Sequence, residues 1–249
     1  MVRHYILMSS SYSEGKRIAL HMEQSEQMTT SGIQAILQRV RNDCGQDVPV
    51  SLHYVEAANS GWQAVVASDQ FFKGVECIPD VETFIQKIKR DRVLRGIDVA
   101  KYIASQIECT HLKLQKLVYF CYADYLCKYS ERLFRDTIYA FRNGPVVDTV
   151  YETLKGAGYD LIKMSEEWDG PTKIVDKMPA RSRILFAESG AKKLQSIDQT
   201  IAKYGNMTAG QLRNLTHQPN TPWSHVDSDL SYQCISDDLI KRYHHNEIV

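Results

Sequence analysis

The chain has 249 residues, and its 30 Lys plus Arg balance 30 Asp plus Glu, so the formal net charge is zero. A protein that lives on nucleic acid usually carries a basic excess, so this balance argues against DNA binding as the main role, while 43% hydrophobic and 24% charged residues are ordinary for a globular protein. The length suits one large domain or two small ones, no apolar run approaches the ~20 residues that cross a bilayer, and Met1–Ser10 does not read as a signal peptide, so a cytoplasmic location is expected.

Residues 1–95 read as a small α+β domain. Tyr5-Ile-Leu-Met is a short strand. Glu14 to Arg41 reads as largely helical, with a break near Met28–Gly32 and with Ile33, Ile36, Leu37 and Val40 at helical spacing. Val48–Val55 alternates as a strand and Gly61–Ala67 reads as a second. Asn59-Ser-Gly61 between them is turn chemistry, so an antiparallel hairpin is expected there. Asp80 opens a helix striped by Val81, Phe84, Ile85 and Ile88.

The charged run Lys89–Gly96 joins this domain to a mainly helical one over residues 96–249. Ile97 begins a helix, and Thr110 is a good N-cap for the next. In that next helix Leu114, Leu117, Val118, Cys121 and Tyr125 form a stripe that Tyr119, Phe120 and Tyr122 widen, so it is expected to be central and buried. Tyr139-Ala-Phe-Arg is extended, with Tyr139 and Phe141 expected inward and Ala140 outward. Asn143-Gly-Pro stops it, and Pro145 is expected to open a helix from Val146 to Lys155 that ends at Gly156-Ala-Gly158. Residues 159–183 read as a polar loop or irregular hairpin. Ala187–Tyr204 is a long amphipathic helix closed by Gly205, Thr208 to Gln211 has capping-box spacing, and Ser236 starts a last short helix.

Chemistry-bearing constellations are sparse. The six cysteines contain no Cys-x-x-Cys and read as free thiols; Cys109, His111, Cys121 and Cys127 are poorly spaced for zinc, so no metal site is expected. His217 and His225 flank Pro222-Trp223, with Asp227 behind, and could do acid–base work. The simpler reading is that His217 satisfies buried polar groups in a corner sealed by a buried Trp223. No nucleophile stands in a recognisable context, so no catalytic residue is assigned. Arg142 and Asn143, beside the sharpest turn of the chain, could hold a domain carboxylate or a partner's. The surplus of Tyr, 14 in all, points to a protein-binding face.

The second region resembles the Panacea domain of SocA-like and GepA-like antitoxins. The matching pieces are Leu114-Gln-Lys116-Leu117-Val-Tyr119, Leu133-Phe134, Ala140-Phe-Arg-Asn-Gly144-Pro145-Val146-Val147, Tyr151, Tyr204-Gly205, Leu212 to Thr216-His217, and Pro222-Trp223, in the family's order over residues 97–245. The resemblance implies a helical domain that neutralises a cognate protein toxin by direct binding, the toxin coming from an adjacent prokaryotic or prophage gene. It implies no catalytic residue and no cofactor. Arg142, Asn143, His217 and Trp223 are then the partner-binding candidates, and the other motif residues are structural. Residues 1–95 lie outside the resemblance. They do not read as a helix-turn-helix, so DNA binding is not expected, and they are assigned as an accessory domain that contributes to toxin binding. The alternatives are a metal-assisted hydrolase using His217 and His225 that reverses a toxin's modification, a proteolytic adaptor, and a transcriptional regulator.

Overall fold

The chain opens on a strand whose two faces enter different cores. In Val2–Ser11 (β1), Leu7 faces one apolar cluster and Ile6 the other. The structure, a computed structural model, describes residues 1–12, 14–25, 29–156, 158, 160–165, 173–175, 180–226 and 232–248. It resolves into two units, Met1–Val93 with Phe186–Glu188, and Leu94–Leu185 with Ser189–Val249. The fold is α+β: an N-terminal unit built on antiparallel strands and a largely helical C-terminal one.

In the N-terminal unit, β1 pairs antiparallel with Lys16–Glu23 (β2). Thr30–Cys44 (α1) follows, capped by Thr29. Ser51–Ala57 (β3) lies antiparallel on the other edge of β1. Trp62–Ser68 (α2) leads through a 3₁₀ turn to Glu76–Ile78 (β4), parallel to β2, and to Val81–Arg92 (α3), capped by Asp80. The sheet order is β3-β1-β2-β4. One face carries Leu7, Ile18, Leu20, Ile33, Val40, Phe84, Ile85 and Ile88. The other carries Ile6, Ala19, Val65 and Phe72.

Two expectations fail here. Lys16–Glu23, expected as helix, is a strand. Its Ile18, Leu20 and Met22 face one cluster and Ala19 the other, so apolar residues run consecutively and their period is hidden. Gly61–Ala67, expected as a strand, is α2, which lays Val65 and Trp62 on the second cluster. The antiparallel hairpin is therefore β1–β2, not one centred on Asn59–Gly61. The break expected near Met28 falls partly outside the described residues.

The C-terminal unit begins with Gly96–Gln106 (α4) and Cys109–Thr110 (β5). The Thr110 hydroxyl accepts the Lys113 N–H and starts His111–Tyr129 (α5). Residues Leu114 to Ala123 of α5 are all buried, as its apolar breadth predicts. Ile138–Phe141 (β6) and Gly144–Val147 (β7) form a short hairpin, followed by Asp148–Leu154 (α6). Leu161–Ser165 (β8) pairs antiparallel with β5 and parallel with Lys173–Val175 (β9), so this is not a hairpin; Asp169-Gly-Pro171 lies outside the described residues. Ala180–Phe186 (α7), Gly190–Tyr204 (α8) and Ala209–Thr216 (α9) follow, α9 with the expected Thr208–Gln211 capping box. Trp223–His225 is a 3₁₀ turn, Gln233–Cys234 (β10) pairs with β6, and Asp237–Tyr243 (α10) ends in a 3₁₀ turn to Glu247. Among the described residues, no helix is long and apolar enough to cross a membrane.

Candidate functional site: a clamped hairpin with an aromatic face

The β6–β7 hairpin turns through Arg142 and Asn143, both exposed. Neither has a positive φ, so the left-handed conformation falls to Gly144, at φ +97°. This is the pattern of a type I turn closed by glycine. Gly144 is also crowded: an added Cβ would lie 2.6 Å from Thr216 Oγ1 and 2.9 Å from Lys116 Nζ.

Two residues of β7, Pro145 and Val147, have their outward backbone groups met by side chains of α5. Pro145 lacks an N–H and sits on β7, an edge strand where that is tolerated. Its carbonyl accepts a hydrogen bond from Lys116 Nζ at 2.7 Å. Val147 N–H donates to Gln115 Oε1 at 2.9 Å, and Gln115 Nε2 donates back to the Val147 carbonyl at 3.4 Å. The Gln115 amide thus pairs with the edge of β7 as a neighbouring strand does. This capture holds Val146 and Val147 extended, so α6 begins at Asp148 and not at Val146 as expected; β-branched residues favour that outcome.

The other side of the turn is held from α9 and the segment after it. Trp223 Nε1 donates to the Phe141 carbonyl at 2.8 Å, and its ring lies 3.9 Å from that of His217. His217 Nε2 lies 3.2 Å from the Arg142 carbonyl and Nδ1 lies 2.8 Å from the Arg213 carbonyl. Thr216, fully buried, donates to that same Arg213 carbonyl, and Thr221 donates to the Thr216 carbonyl. Trp223 is only half-buried, a correction to its expected burial: it caps the corner from outside. Pro222 beneath it is buried.

The phase of β6 is opposite to expectation. Ile138 and Ala140 are buried, while Tyr139 and Phe141 lie on the more open face. There Tyr139 and Phe141 meet Tyr232 edge-on, at 5.4 and 5.5 Å, and Phe141 meets Tyr151 at 5.1 Å. Tyr232 is 55% exposed. Beside this face a cavity of about 330 Å³ is lined by Thr110, His111, Gln115, Phe141, Arg142 and Tyr151, among others. The hairpin therefore presents aromatics, an arginine and an asparagine together.

A buried polar chain lies beneath. Burial pulls the Lys116 ammonium down to about 7. The Tyr119 hydroxyl donates to Glu247 at 2.8 Å, and His244 bridges Glu247 at 2.8 Å and Asp124 at 2.9 Å. Burial alone would lower the His244 imidazole, but its two carboxylate partners prevail and raise it to about 9. Burial pushes Glu247 up. Sequence reasoning did not single out Gln115, Asp124, His244 or Glu247. The i, i+3 spacing of His244 and Glu247 was the available signal.

Other expected residues are architectural. Leu114, Leu117 and Tyr119 are core, and the Tyr204 ring stacks on Phe120 at 4.6 Å. Gly205 ends α8, and its carbonyl accepts from Lys113 Nζ. His225 is exposed and stacks on Tyr243 at 3.9 Å, whereas the His217 nitrogens face backbone carbonyls. Asp227 lies outside the described residues. Burial lowers His217, which favours its neutral form. All six cysteines are free.

Residues 114–224 match the family described as Antitoxin SocA-like, Panacea domain. A domain of that description is thus found from α5 to the Trp223 turn, as the resemblance implied. No curated protein and no solved structure matches the chain.

Proposed function

From a SocA-like Panacea domain at residues 114–224, we propose that this protein is the antitoxin of a prokaryotic or prophage toxin–antitoxin pair. It acts in the cytoplasm, without catalysis, by binding a protein toxin encoded by an adjacent gene. The contact surface is the open face of the β6–β7 hairpin: Tyr139, Phe141 and Tyr232 with Arg142 and Asn143 at the turn. The observation that carries this reading is that Tyr139, Phe141, Arg142 and Asn143 of that face lie within the matched residues, with Tyr232 packing on them from just beyond. Tyr anchors protein interfaces by bringing large rigid area at small entropic cost, and Arg by several directed hydrogen bonds from one planar group. His217 and Trp223 serve the surface by fixing the turn's carbonyls.

The N-terminal unit adds to toxin recognition in this reading. Its β3 is an edge strand, with Leu52 and Tyr54 about half exposed, and edges of that kind accept partner backbone.

Co-expression with the product of the adjacent gene is expected to rescue growth and to give a co-purifying complex. Arg142→Ala with Tyr232→Ala is expected to weaken that complex at least ~10-fold. A growth defect that wild-type protein does not relieve, with no complex, overturns the reading.

A further inference from the structure

A second cluster of interest lies in the N-terminal unit, and nothing in the antitoxin reading bears on it. His4 and Glu23 are direct cross-strand partners in the β1–β2 ladder, and His21 stands two residues before Glu23. All three side chains therefore leave the same face of the sheet as Ile6 and Ala19. His4 Nδ1 lies 2.9 Å from His21 Nε2 and 3.7 Å from Glu23 Oε1, and His21 Nε2 lies 3.9 Å from that same oxygen. Tetrahedral zinc with ligands at roughly 2.0–2.1 Å sets its ligand atoms about 3.4 Å apart. The three separations bracket that value, so shifts of a few tenths of an ångström bring all three atoms onto one ion.

The surroundings are those of a ligand set. His4 is fully buried, and its other nitrogen, Nε2, lies 3.1 Å from the Asn59 carbonyl. An N–H donated there leaves the Nδ1 lone pair turned into the cluster, and metal-binding histidines are oriented in this way by a carbonyl or carboxylate behind them. The Glu23 carboxylate is steadied by the Gly61 N–H at 2.5 Å. The Trp62 ring, 5.8 Å from that of His21, flanks the cluster. Glu23 is 33% exposed, which leaves a side open to solvent. Among the described residues this is the one group of three or more His, Cys, Asp or Glu side chains so gathered.

We propose that His4, His21 and Glu23 bind a divalent transition-metal ion, zinc by preference, with water completing the coordination. Two imidazoles and one carboxylate are a zinc donor set, and hard-cation sites such as those for calcium use oxygen alone. The bound ion fastens the open end of the β1–β2 hairpin, and the residues it uses are themselves tied to the loop before α2 through Asn59 and Gly61. Metal affinity and the stability of this unit are then linked.

The test uses the full chain, stripped with chelator and titrated with zinc chloride by calorimetry. One equivalent is expected with a Kd below ~10 μM. His21→Gln and Glu23→Gln, chosen because neither residue is fully buried, are each expected to cost at least ~100-fold with an unchanged circular dichroism spectrum. Cobalt substituted for zinc is expected to give a visible ligand-field spectrum without a thiolate charge-transfer band, and this reading stands even if a variant misfolds. No binding tighter than ~10 μM, equal binding by the folded variants, or a thiolate band from the six cysteines would each overturn the proposal.

Discussion

Two hairpins among the described residues, β1–β2 and β6–β7, are held by opposite means. β1–β2 pairs over eight residue positions from His4–Glu23 to Ser11–Lys16, and both of its faces enter apolar clusters. Its register follows from the ladder and from alternate burial, so many side chains share the task. β6–β7 pairs over only four positions, from Ile138–Val147 to Phe141–Gly144. A ribbon that short is marginal by itself. Gln115, Lys116, His217 and Trp223 therefore seize its backbone one group at a time. Distributed support tolerates substitution and leaves little trace in sequence, whereas point clamps demand particular residues at particular places.

That contrast can be broken or sharpened by mutation. The largest effect is expected from Gly144→Val, which combines a positive φ with two close approaches. A loss of about 3 kcal/mol or more in urea denaturation is expected, and a loss below ~1 would show that the turn is not rigidly clamped. Leu7→Ala, in the long hairpin, is expected to cost about 3 kcal/mol through its cavity. Gly15 in the β1–β2 turn also has a positive φ, at +63°, so Gly15→Ala gives a direct comparison, expected to cost about 1 kcal/mol. Trp223→Ala is expected to cost about 2 kcal/mol, less than a fully buried tryptophan because the ring is only partly buried, and Trp223→Phe about 1 kcal/mol for the lost hydrogen bond.

The buried chain under the short hairpin predicts a pH signature. His244 titrates at about 9 in the fold against 6.5 outside it. Its stabilisation is complete below pH 6.5 and is lost as pH rises through 9. Lys116 titrates at about 7 against 10.5, so the penalty for burying its charge fades above pH 7 and stability rises toward pH 10.5. The two slopes oppose one another between pH 7 and 9. Melting temperature is expected to climb across that window in His244→Gln and to fall across it in Lys116→Met; identical profiles in both would refute the linkage. Least of all, Arg142→Ala is expected to change stability by no more than ~0.5 kcal/mol, because its side chain is exposed at the turn.

What sequence disclosed follows the same division. The buried breadth of α5, the Thr110 and Asp80 caps and the Thr208–Gln211 capping box were legible because each rests on local rules. The Asn143-Gly-Pro turn was legible as punctuation and as a family mark. The identity of β2 was not: strands buried on both sides lose the alternation that distinguishes them from helices. α2 was misread because Val65 and Val66 carry strand propensity that packing on Phe72 and its cluster overrides. The phase of β6 was misjudged because aromatic size was taken as a sign of burial. Ala140 is the fully buried residue between them, which leaves Tyr139 and Phe141 to build the outer face. His244 and Glu247 escaped because their partners, Asp124 and Tyr119, lie more than a hundred residues earlier in the chain.

The Gln115 amide has one further consequence. By occupying both the N–H and the carbonyl of Val147, a single side chain closes an edge that would otherwise invite another strand. The hairpin cannot be extended on that side by a visiting backbone. A partner that docked on the hairpin would therefore have to read contour and charge, and its specificity would lie in side chains, where a few substitutions could readdress the surface without disturbing the scaffold.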